Sequence, residues 1–242
     1  MRNLTMLMDY YELTMSNGYF EKGFKDKMVV FDMFYRKNPD NGGFVVSAGL
    51  EQLIEYIENM HFSKEDIEFL RSKGEFSEGF LQYLADFKFT GNIDALPEGT
   101  ICYPNTPIVT VTAPVIEAQL IETMLLLTMN FQSLIATKAS RICRTAAESG
   151  AVVMEFGARR AHGGDAAILG ARAAYIGGAA ATATVMADER FGVPAIGTMA
   201  HSWIQFFDNE YEAFKAYAEV YPDNCTLLID TYDILNSGLV NA

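Results

Sequence analysis

A chain of 242 residues is long enough for one large domain or two small ones, and its makeup, half hydrophobic and one fifth charged, is that of a soluble globular protein. A formal net charge of −13 argues against a basic surface for nucleic acid, although an anion can still bind where arginines and helix N-termini concentrate. Cys102, Cys143 and Cys225 are widely spaced with no CxxC pair, so neither a disulfide framework nor a zinc site is expected.

Residues 1–9 lack the apolar stretch of a signal peptide. The most apolar region, 113–136, is interrupted by Glu117, Glu122, Asn130 and Gln132, so no membrane span is expected and the chain reads as cytoplasmic. Asp9 to Glu21 reads as a helix capped by Asp9, and Met28 to Tyr35 alternates as a strand. Ser47 to Asn59 places Leu50, Leu53, Ile54 and Ile57 on one helical face. Ser63 and Asp66 have capping-box spacing, and Gly74 stops the helix that follows. Pro97-Glu-Gly and Pro104-Asn-Thr-Pro107 are turns, and Ile108 to Thr112 is β-like. Residues 1–114 are thus expected to form an α+β N-terminal module.

After Pro114 the pattern changes. Val115 to Ser149 is helical, in one helix or two. Short apolar runs begin near 151, 193 and 225 and read as buried parallel strands. An Ala/Gly-rich segment broken at Gly177-Gly178 and the amphipathic segment Trp203 to Tyr221 lie between them. Alternating strands and helices imply a parallel sheet or barrel over 115–242. An eight-stranded barrel takes about 250 residues, and far fewer follow Pro114. The expectation is therefore a piece carrying part of a barrel, with a small open sheet as the alternative.

Each apolar run ends in polar groups, and in parallel α/β folds the carboxyl ends of strands share the ligand face. Arg159 and Arg160 follow Phe156-Gly157, where a pair of planar guanidiniums can clamp phosphate or carboxylate. An isolated histidine is most simply structural. His201, however, sits in Gly197-Thr-Met-Ala-His-Ser202, where Thr198 and Ser202 flank a good proton carrier and nucleophile. Asp230 and Asp233 can hold ribose hydroxyls or magnesium, or cap the next helix. Cys225 reads as a small buried hydrophobe. These groups are expected to converge on one cavity.

The chain resembles the nicotinate phosphoribosyltransferases. The resemblance rests on Asp9-Tyr-Tyr-Glu-Leu-Thr-Met15, Phe34-Tyr-Arg-Lys-Asn38, Gly49-Leu-Glu-Gln52, Glu155-Phe-Gly-Ala-Arg-Arg-Ala161, Ala174-Tyr-Ile-Gly-Gly178, Gly197-Thr-Met-Ala-His-Ser202 and Asp230-Thr-Tyr-Asp233, in the family's order. It implies a partial (β/α) barrel of the type II phosphoribosyltransferase kind after the α+β module. It implies that nicotinate and phosphoribosyl pyrophosphate give nicotinate mononucleotide and pyrophosphate, with coupled ATP hydrolysis and Mg2+. His201 matches the histidine phosphorylated by ATP, Asp230 a catalytic carboxylate near ring and ribose, and Arg159 a ligand-binding arginine. Phe156 matches an aromatic that stacks on the pyridine. Thr198 and Tyr11 match nicotinate-contacting positions, the tyrosine reaching the neighbouring subunit's site in a homodimer. Related nicotinamide-using enzymes carry a carboxylate where this chain has Ala183, so the acid is favoured over the amide. Two other readings stay open: a dimerising piece without activity of its own, and nicotinamide or quinolinate as the substrate.

Overall fold

Strand alternation organises the first part of the chain. The computed structural model describes residues 3–242. It begins with helix α1 (Tyr10–Glu21), strands β1 (Met28–Met33) and β2 (Val45–Val46), and helices α2 (Leu50–Asn59), α3 (Lys64–Ser72) and α4 (Glu78–Ala85). Strands β3 (Asn92–Ala95), β4 (Ile101–Cys102) and β5 (Val109–Pro114) follow. β5 is central in an antiparallel sheet of order β1-β5-β3, with Val111 opposite both Phe31 and Ile93. Val109, Val111 and Ala113 point into the core, and the residues between them do not, the period expected of a strand with one covered face. Leu53, Leu70, Phe80, Leu81 and Leu84 from the helices belong to the same core.

Local signals set most helix ends here. The Ser63 hydroxyl accepts from the Asp66 N–H at 3.1 Å, and the Asp66 carboxylate accepts from the Ser63 N–H at 2.8 Å, as the capping box requires. Asp9 is different: it stands at the N-cap, but its carboxylate makes no capping bond, and its N–H donates to Thr123 Oγ1 at 3.1 Å. Ile54 is exposed, although it was expected on the buried face of α2; Leu53 and Tyr56 are the residues that α2 buries.

Helices α5 (Val115–Leu120) and α6 (Glu122–Glu148) fill the expected helical stretch, and Ile116, Leu120, Ile121 and Met129 enter the core of the preceding residues. The 114/115 junction is therefore continuous in packing, and the compact units of the chain divide instead between Val193 and Pro194. α6 also completes β2. β4 pairs with β2, while Thr137 Oγ1 and Ser133 Oγ of α6 accept from the N–H groups of Val46 and Ala48 at 2.9 and 3.0 Å. Hydroxyls one helical turn apart thus satisfy backbone donors that would otherwise be buried alone.

Next come β6 (Met154–Glu155), α7 (Gly164–Ile176), β7 (Ala181–Thr182) and α8 (Val185–Phe191). β6 and β7 are parallel, with Met154 opposite Ala181 and Glu155 opposite Thr182. Gly177, after α7, allows close approach to α6: a Cβ there would lie 2.4 Å from the Ala136 carbonyl oxygen.

The second unit, Pro194–Ala242, contains α9 (His201–Phe206) and α10 (Glu210–Val220) around Ile204, Ala213 and Phe214. Neither expected strand near 193 or 225 forms: residues 193–200 hold a single bridge residue, Ala195, and 225–230 has no regular secondary structure. An apolar run alone is not enough for a strand. Leu227 and Ile229 instead pack against the small helical core, and Cys225 is exposed rather than buried. β7, whose Ala-Thr sequence carries no strand signal, exists because β6 lies beside it. Among the described residues, no helix is long and apolar enough to cross a membrane.

Candidate active site

Parallel pairing places the carboxyl ends of β6 and β7 on one edge. The loop after β6 carries Phe156 and a 3-10 turn, Ala158–Arg160; Ala183 follows β7. Four hydrogen bonds tie these ends together. The Ala183 N–H donates to the Glu155 carbonyl at 2.9 Å. The Glu155 carboxylate accepts from the Gly157 N–H at 2.5 Å and from the Thr182 hydroxyl at 2.7 Å. The Thr182 oxygen in turn accepts from the Thr184 N–H at 3.0 Å. Beside this edge Phe156 is 50% exposed, a ring face open to a ligand.

Arg159 and Arg160 are exposed, and neither is in a salt bridge among the described residues. Arg160 lines a groove of about 290 Å³ together with His162, Glu155, and Phe131 and Ile135 of α6, whereas Arg159 does not line it. The adjacent arginines, expected from the sequence to act as a pair, are thus split between the groove lining and the surface outside it. Successive side chains on a 3-10 turn diverge by about 120°.

Tyr11 is half-exposed on α1, and its hydroxyl donates to Glu122 Oε1 at 2.9 Å. Its phenol is pushed up to about 12, by burial of the hydroxyl first and the Glu122 carboxylate second.

In the second unit, two of the expected segments meet. His201 opens α9, and its Nδ1 is 3.2 Å from Thr231 Oγ1. The Thr198 hydroxyl donates to the Thr226 carbonyl. Asp230, next to Thr231, is exposed. Asp233 takes the capping role: its Oδ1 accepts from the N–H groups of Leu235 and Asn236, and the Asn236 side chain and backbone hold its carboxyl below the usual range. No group of three or more His, Cys, Asp or Glu side chains forms a metal cage among the described residues.

A family model for the nicotinate phosphoribosyltransferase N-terminal domain matches residues 6–130, just over half of the chain. The chain belongs to the nicotinate phosphoribosyltransferase family. Among its relatives, a nicotinate phosphoribosyltransferase of Mycobacterium tuberculosis is 45% identical over 230 residues, covering 95% of this chain and 49% of that protein. The Bacillus subtilis nicotinate phosphoribosyltransferase is 46% identical over 240 residues, covering 99% and 48%. The crystal structure of human nicotinic acid phosphoribosyltransferase superposes with a TM-score of 0.88 at 29% identity, covering 97% of this chain and 56% of that one. The chain spans about half the length of the curated relatives it matches.

Three residues at these sites had no role assigned from the sequence. Glu155 stood inside a recognised motif, but its bond to Thr182 depends on the β6–β7 pairing. Thr182 carried no signal. Thr231 lay between two candidate acids and is the residue that His201 contacts.

Proposed function

We propose that the chain supplies the pyridine-binding strand ends and the phosphate-accepting histidine of a nicotinate phosphoribosyltransferase. The observation that carries this reading is the β6–β7 edge, where the exposed Phe156 ring, the unpaired arginines and the small Ala183 follow two paired strand ends. Nicotinate stacks on Phe156, and its ring nitrogen attacks the anomeric carbon of phosphoribosyl pyrophosphate. The bond from that carbon to the diphosphate oxygen breaks, and pyrophosphate leaves. The sugar is oxocarbenium-like in the transition state, so placing the nucleophile and stabilising charge dominate the rate. Arg159 and Arg160 offer guanidiniums to the departing diphosphate or to the nicotinate carboxylate. Mg2+ would accompany the diphosphate and ATP and would offset charge on the leaving group.

His201 accepts the γ-phosphoryl group of ATP, releasing ADP, and water later removes it. With Nδ1 engaged by Thr231, Nε2 is the nitrogen available for attack. Asp230 is assigned to the ring and ribose, and Thr198 to nicotinate. α1 exposes Tyr10, Tyr11 and Met15, which supports a homodimer in which Tyr11 serves the neighbouring subunit's site. The strand-helix-strand unit β6-α7-β7 supports a type II (β/α) barrel. Turnover by residues 1–242 alone is expected to be low, because they span about half the length of the relatives.

Calorimetry on the chain tests the ring site. Nicotinate should bind, and Phe156→Ala should weaken it about tenfold, the scale of a lost aromatic stack. Equal binding of nicotinamide would defeat the preference for the acid. Incubation with labelled ATP should leave an acid-labile phosphate that His201→Ala abolishes; label retained in that variant would remove His201 from the reaction.

A further inference from the structure

The Glu155 carboxylate stands beside a site proposed for an anionic substrate, an awkward place for a second negative charge unless it has another task. The structure supplies one. Its two oxygens are spent inward, one on the Gly157 N–H and the other on the Thr182 hydroxyl. Thr182 is fully buried, and its oxygen both donates to Glu155 and accepts from the Thr184 N–H. The chain of bonds therefore runs from Gly157, immediately after Phe156, to Thr184, immediately after Ala183. The Ala183 N–H on the Glu155 carbonyl closes the same span from the backbone side.

We infer that Glu155 and Thr182 are positioning residues that hold the backbone bearing Phe156 to the backbone bearing Ala183, and so set which pyridine this strand-end edge accepts. This rests on the ring-binding role proposed above for Phe156. The two-residue strands contribute only a short ladder, so side-chain bonds carry much of the geometry at this edge. Thr182→Val keeps the shape but strands both the Glu155 oxygen and the Thr184 N–H. Glu155→Gln keeps the chain of bonds: its carbonyl accepts from Gly157, and its amide donates to the Thr182 oxygen, which still accepts from Thr184. Glu155→Ala cannot.

Two measurements on the full chain test this. Amide hydrogen exchange by NMR reads the bonds without any ligand, and calorimetry compares nicotinate with nicotinamide. Exchange at Thr184 in Thr182→Val, and at Gly157 in Glu155→Ala, should rise about tenfold in variants whose melting stays cooperative. Nicotinate affinity should fall by a similar factor and the nicotinate-to-nicotinamide ratio should narrow in Thr182→Val and Glu155→Ala, while Thr182→Ser keeps parental values and Glu155→Gln keeps parental exchange at Gly157. A Glu155→Gln variant as impaired as Glu155→Ala, or Thr182→Val with unchanged selectivity, overturns the inference. If exchange responds as expected but the parent binds no pyridine, the proposed function falls and the selectivity role with it. If nicotinate binds well and exchange does not respond, only the positioning role falls.

Discussion

Arg172 grips Glu98 with both terminal nitrogens: Nη1 donates to Oε1 at 2.9 Å and Nη2 to Oε2 at 2.6 Å. The pair joins α7, the helix that follows the Phe156 loop, to the turn before β4. Nη2 also meets Glu51, and Nη1 reaches Gln132 Oε1 at 3.3 Å. The Glu98 carboxylate further accepts from the N–H groups of Gly49 and Leu50 at the start of α2. The Arg172 side chain is 10% exposed and that of Glu98 20%, so this pair is largely out of water, whereas the Glu51 carboxylate stays exposed.

Removing one partner of such a pair leaves the other charged and buried. Arg172→Met is expected to cost about 3 kcal/mol in urea denaturation. Arg172→Met with Glu98→Gln should recover a good part of it; a double variant no better than the single one would show that Arg172 acts by packing alone.

The acid limb of stability has a named source. Burial works to raise the Glu98 carboxyl, but Arg172 and the amides of Gly49 and Leu50 together hold it below its usual range. Its contribution is full above the unfolded value of about 4.3 and is lost as pH falls through the folded value. Glu12 is opposite in sign. Burial raises it despite the Thr123 bonds, so its contribution is full below the unfolded value and is lost as pH rises through the folded one. Thermal melts across this range should show Glu98→Gln with a flatter acid limb and Glu12→Gln with a smaller loss as pH rises.

Gly177→Ala should be costly for steric reasons alone. Its φ is an ordinary −74°, but the new methyl group would meet the Ala136 carbonyl and the Ala139 Cβ. Overpacking of this kind costs about 1–3 kcal/mol, readable as a lower urea midpoint. Gly164→Ala, where a Cβ meets nothing within 4 Å, is the control.

Thr231 orients the His201 ring, so Thr231→Val should slow label transfer from ATP roughly three- to tenfold without abolishing it. Thr231→Ser should restore the rate. A Thr231→Val rate equal to that of the parent would mean that Nδ1 needs no partner.

Local chemistry made the first half of the chain legible. The Ser63–Asp66 box, the alternation in β5 and the glycine after α3 act within a few residues, so the sequence states them directly. The functional region was legible in its motifs but less so in its geometry. The Arg159–Arg160 pair reads as a clamp in one dimension, and the 3-10 turn separates it. The runs at 193 and 225 read as strands, yet their apolar residues pack on helices.

By itself, the sequence determined most of the helices, the Ser63–Asp66 cap and the family, because these depend on residue types at short spacings. Tertiary structure alone decided that Thr182 would be a strand residue bonded to Glu155, that Thr231 would reach His201, and that Arg172 would find Glu98. Each of those pairings is a meeting of single polar groups across at least 27 residues of chain. No periodicity records such a meeting; only the packing of helices and the pairing of strands brings the partners within hydrogen-bond reach.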